Sequence, residues 1–127
     1  AVAPADVEAV AARLRLPLVG GSRRRPDGRV VTWRTVGLGI ALEDPSRPFF
    51  IDWQTAAADH PGRSPANHRS PSPTGLRLEL SGDERAVRSW LGDEEAAIVV
   101  RPGAPAITGL VIETVTGAVV LEAADLR

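Results

Sequence analysis

One nine-residue pattern occurs twice in this chain, and it constrains the fold more than any other feature. Asp6-Val7-Glu8-Ala9-Val10-Ala11-Ala12-Arg13-Leu14 aligns with Asp83-Glu84-Arg85-Ala86-Val87-Arg88-Ser89-Trp90-Leu91 as D-x-x-A-V-x-x-x-L. In the first copy Val7, Val10, Ala11 and Leu14 fall at i, i+3, i+4 and i+7, the apolar stripe of an amphipathic helix. The leading Asp6 suits an N-cap, because its carboxylate accepts from the free amides of a first helical turn. Downstream, Arg25-Pro26 sits at the turn where Arg101-Pro102 sits in the second copy. A pattern that recurs with its neighbours points to a duplicated supersecondary unit, and the 127 residues hold two copies of it.

Strand patterns surround the two helices. Pro17 and Gly20-Gly21 end the first helix, and Leu18 to Arg25 reads as a short strand. Pro26-Asp27-Gly28 is a turn: Pro presets φ, Asp bonds its own backbone and Gly takes positive φ. Val30 to Leu42 then reads as one longer strand, Glu43 to Arg47 as a turn, and Pro48 to Trp53 as a short apolar strand. From Gln54 to Thr74 Pro, Ser, His and Arg dominate and periodicity is lost, so a connecting loop or lid is expected. Gly75 to Leu80 alternates strictly. Ser81 and Glu84 have capping-box spacing ahead of the second helix, which Gly92 stops. Ala97 to Arg101, Ile107 to Thr114 and Ala118 to Glu122 complete the strands. The second unit reads β-α-β-β-β and the first α-β-β-β. Ala1-Val2-Ala3 falls on Leu78-Glu79-Leu80 in the repeat frame, so the first unit is expected to lack most of its first strand. The expected organisation is α+β, with units 1–53 and 75–127 joined by residues 54–74.

Composition excludes several functions. With 43% hydrophobic and 24% charged residues the chain has ordinary globular content. No run approaches the roughly 20 apolar residues of a membrane-spanning helix. A basic leader followed by an apolar stretch is not seen, so a cytoplasmic protein is expected. Cys is absent, which removes disulfides, thiol nucleophiles and thiolate metal sites. A net charge of -1 gives no bulk attraction to nucleic acid or to an anionic membrane. All 15 basic residues are Arg, which we read as GC-rich bacterial codon usage. Gly20-Gly21-Ser22 has neither the frame nor the Lys of a phosphate-binding loop.

Paired β-α-β-β-β units resemble the vicinal oxygen chelate superfamily, and in particular glyoxalase-like domains of actinobacterial type. The residues carrying the likeness are Ala1 to Asp6 leading into the first helix, Pro26-Asp27-Gly28 followed by Thr32-Trp33-Arg34, Pro48 to Trp53, and His60-Pro61-Gly62. The resemblance implies curved sheets around a cavity that takes a small organic molecule, and a homodimer. In the superfamily, metal ligands on the first and last strand of each unit leave open positions for a chelating substrate. Mapped here, those strands offer Asp52, Glu79 and Glu122 but no His, so no cofactor is expected. A divalent metal, if present, falls to those three carboxylates. The alternatives are a metal-dependent lyase or ring-cleaving dioxygenase, and a ferredoxin-like interaction domain without a ligand.

The expected ligand-binding residues are Trp33, Phe50, Asp52, His60, His68, Arg77, Glu79 and Glu122. Trp33, Trp53, Phe49 and Phe50 gather on two adjacent strands and suit a pocket floor or a core. Asp52 and Glu122 suit a general base or an ion pair with an Arg such as Arg34 or Arg77. Arg77 and Glu79 share the face opposite Leu76, Leu78 and Leu80. His60 and His68 flank the connecting loop and suit proton transfer or a turn. Arg23-Arg24-Arg25 reads as a solvated turn, and Trp90 as core.

Overall fold

Asp6 and Asp83 do the same work in the two halves of the chain. In a computed structural model, which describes residues 1–63 and 72–123, Asp6 accepts from the Ala9 amide at 3.0 Å and Asp83 from the Ala86 amide at 3.1 Å. The D-x-x-A of the repeat is therefore a pair of matched helix caps. Helix α1 runs Val7–Leu14. Strands β1 (Val19–Arg24) and β2 (Val30–Val36) follow, then helix α2 (Leu38–Glu43) and strand β3 (Phe50–Trp53). Two short 3-10 turns, Ala57–Asp59 and Pro61–Arg63, lie within the expected loop. Strand β4 (Pro73–Ser81), helix α3 (Glu84–Leu91), β5 (Ile98–Arg101), β6 (Ala106–Thr114) and β7 (Gly117–Glu122) complete the described chain.

The chain divides into two compact units, Ala1–Leu42 with Pro48–Ala66, and Glu43–Arg47 with Asn67–Arg127. In the first, β1, β2 and β3 form an antiparallel sheet in that order. Val2 makes a parallel bridge to Phe50 at its β3 edge, through Val2 N–H to Phe49 O and Ile51 N–H to Val2 O, both 2.9 Å. The core lies between this sheet and α1: Val7, Val10, Val36 and Phe50 are buried. In the second unit the sheet order is β5-β4-β6-β7, with β4 parallel to β5 and antiparallel to β6 and β7 antiparallel to β6. Leu80, Val87, Trp90, Leu91, Ile98 and Val100 are buried there. Arg47 belongs to this unit and places its guanidinium 5.8 Å from the Trp90 ring centre.

The fold is α+β with two sheets, as the sequence reading expects. From the capped helix on, and apart from α2, the order of elements along the chain repeats, but the order of pairing does not: Val2 lies against the last strand of its unit, whereas β4 lies between β5 and β6. Two local expectations are corrected. Val30 to Leu42 is not one strand. Gly37, at φ 79, ends β2, and the Ala41 amide donates to Gly37 O at 3.0 Å to open α2. Ser81 is not a cap either. It ends β4 and donates its hydroxyl to Ala104 O, and Asp83 caps α3 instead.

Candidate functional site

The first sheet has two faces with different occupants. Arg34 and Val36 on β2, with Phe50 and Asp52 on β3, share the face toward α1, and Arg34 pairs with Glu8 of that helix. Val31, Trp33 and Thr35 point the other way. Opposite them in register stand Arg23 and Gly21 on β1 and Trp53 on β3. On this second face lies a cleft of about 480 Å³, lined by Arg23, Arg25, Val31, Trp33, Trp53 and Asp59 with Pro26 and Pro61. That volume falls within the range of small-molecule sites.

Indole rings form the cleft's aromatic surface. Trp33 and Trp53 meet edge to face, centres 5.6 Å apart and planes at 61°. The His60 ring stands 5.5 Å from Trp53 at 69°. Gly21 makes this arrangement possible: a β-carbon there would lie 2.6 Å from the Trp33 indole. At the rim, Asp59 accepts from Arg29, and that hydrogen bond, with the carboxylate's charge, raises the Arg29 guanidinium's pKa above its ordinary value. Arg25 stands 3.7 Å from Asp27. A second hollow of about 420 Å³, almost wholly apolar, lies by Leu16, Val19, Leu38, Ile40 and Leu42.

The expected site residues are dispersed. Trp33 is in the cleft and His60 beside it. His68 lies outside the described residues. Phe50 is fully buried in the core on the α1 side. Asp52 is on that side too, accepting from Arg34 at 2.7 Å and from Gln54. Hydrogen bonds from Arg34 to Asp52, then to Glu8, raise the Arg34 pKa, so the guanidinium is held charged. Arg77, Glu79 and Glu122 belong to the second sheet and share one face. Arg77 is 3.7 Å from Glu79, and Glu79 and Glu122 both stand opposite Gly109. Among the described residues no three His, Cys, Asp or Glu side chains group as a metal site. Asp52 is engaged by Arg34 in the first unit, and Glu79 stands near Arg77 in the second.

Sequence reasoning took Arg23 and Arg25 as part of a solvated turn, whereas Arg23 lies in β1, and it gave Gly21 and Asp59 no place in a site. The alternation of β1 was the available signal, since it puts Gly21 and Arg23 on one face and Arg24 on the other.

These features define the class: an α+β protein of two sheet-and-helix units, one of whose sheets carries an aromatic cleft on the face away from its N-terminal helix. The family model described as a glyoxalase-like domain matches residues 1–93, and the chain belongs to that family. The match takes in the first unit's sheet and continues through β4 and α3. No curated protein and no solved structure matches the chain.

Proposed function

We propose that the cleft over Trp33 and Trp53 binds a small, flat organic molecule. The observation that carries this reading is the pair of indoles held on a sheet face, only partly buried, with Gly21 keeping the β1 backbone clear of Trp33. Two large rings left partly open to water offer a ligand apolar area and ring-face contact that a buried pair does not. Membership of the glyoxalase-like family supports it, because the resemblance implies a small-molecule cavity. The reading concerns binding and routes no chemical step through a metal. The cleft's carboxylate among the described residues, Asp59, is engaged by Arg29.

Titration with neutral naphthamide, followed by calorimetry and by tryptophan emission, tests it. Saturable binding that quenches emission, and that is lost in Trp33→Leu and Trp53→Leu, is the expected result. Absence of saturable binding to the parent chain, or binding that survives both substitutions, overturns it.

A further inference from the structure

Among the described residues, the charges around the cleft cancel in pairs, with one left over. Arg29 is matched by Asp59 and Arg25 faces Asp27. Arg24 lies on the other face of β1 and donates to Gly28 O at 3.0 Å. Arg23 lines the cleft and makes no ion pair with any described residue. It stands opposite Val31 in register, one step along the strand face from the Gly21–Trp33 pair. An exposed, always-charged guanidinium is thus held beside an aromatic surface. It presents a planar fork of donors that matches a carboxylate two bonds at a time, and it is more weakly hydrated than an ammonium group.

We propose that Arg23 selects planar organic monoanions, so that the ligand is an aromatic carboxylate with its ring on Trp33 and Trp53 and its carboxylate in the Arg23 fork. This rests on the reading of the cleft as a binding site. The charge count favours a carboxylate over a phosphate monoester. One unmatched guanidinium balances one negative charge. The second charge of a phosphate monoester would need Arg25, which already faces Asp27. Because Arg23 is solvent-exposed, screening limits the gain, and the expected preference for the anion over its neutral amide is about fivefold.

The experiment compares naphthoate, naphthamide and naphthyl phosphate by calorimetry on the parent chain and on three variants. Naphthoate is expected to bind about fivefold more tightly than naphthamide at low salt, with the gap narrowing as salt is added. Arg23→Gln should bring the ratio of the two affinities to about one, and Arg23→Lys should restore part of it. Arg24→Gln, on the opposite face, should leave the ratio as it is in the parent. Equal affinities in the parent, or a preference that survives Arg23→Gln, overturn the assignment to Arg23. Tighter binding of naphthyl phosphate than of naphthoate overturns the monoanion class. Failure of naphthamide to bind overturns the cleft reading and this inference with it, whereas equal binding of naphthoate and naphthamide overturns this inference alone.

Discussion

Gly21 is the residue on which the cleft's shape depends most directly. An added methyl there meets the indole body of Trp33 at 2.6 Å, too close for any unshifted arrangement. Gly21→Ala should therefore push Trp33 off β1, lower stability by about 1–3 kcal/mol as overpacking does, and weaken naphthamide binding. Urea denaturation and calorimetry check both, and a variant unchanged in both would show that the indole does not lie across the strand. Asp52 is the contrasting case. It looks functional in the sequence because a carboxylate follows three apolar residues, yet it answers Arg34 across the strands. Both side chains are about 30% exposed, at 30% and 31%, so solvent screens the pair. Arg34 also keeps Glu8. Asp52→Asn should cost no more than about 1 kcal/mol and leave naphthamide affinity unaltered; a tenfold loss of affinity would put Asp52 back into the site. The role of Gly21 was not legible from the sequence, and for Asp52 the sequence offered an ion pair with Arg34 beside a general base without choosing, since both depend on cross-strand register, which alternation alone does not supply. Trp33 was legible, because aromatic residues on two adjacent short strands have few places to go.

At the scale of elements, the repeated Asp is the clearest case of sequence dictating structure. Each carboxylate satisfies a first-turn amide three residues on, and a cap of this kind contributes about 1 kcal/mol. Asp6→Ala and Asp83→Ala should each destabilise by about that amount in chemical denaturation. An effect near zero at either position would mean that helix does not depend on its cap. Helices α1 and α3 and most strands were readable for this reason: caps, stops and apolar period agree locally. Helix α2 was not. Val36, Leu38, Ile40 and Leu42 alternate as a strand would, and period two extends across Gly37 without interruption. What ends β2 is the positive φ of Gly37, a backbone property that the apolar pattern does not report. Ser81 misled in a similar way. Its spacing to Glu84 fits a capping box, but β4 continues through it to pair with Ala106 and Arg101.

For the molecule as a whole, the two units differ in how their strands are held. Strand β6 is paired by β4 from Ala106 to Thr114 and on its other side by β7 from Gly109 to Thr114. The 3-10 turns after β3 hold only isolated bonds, such as Asp59 N–H to Ala56 O at 2.8 Å and Arg63 N–H to His60 O at 2.9 Å. Amides of residues 54–63 should accordingly exchange with deuterium well ahead of those in Ala106–Thr114. Equal protection in the two segments would contradict this. The difference in pairing order between the units is also a whole-molecule property. A repeat in sequence sets which elements form, but the neighbour each strand chooses is decided by long-range packing.

The edge-to-face indoles have a last consequence, in their optics. Two chromophores 5.6 Å apart and inclined at 61° do not absorb independently. Their transition dipoles lie in the ring planes and couple, and where the two dipoles and the line joining them are not coplanar the coupled excitations carry rotational strength of opposite sign. The circular dichroism of this chain should therefore contain a paired positive and negative band owed to Trp33 and Trp53. Any guest that wedges against one ring and changes the tilt alters the couplet, so the cleft carries its own optical goniometer.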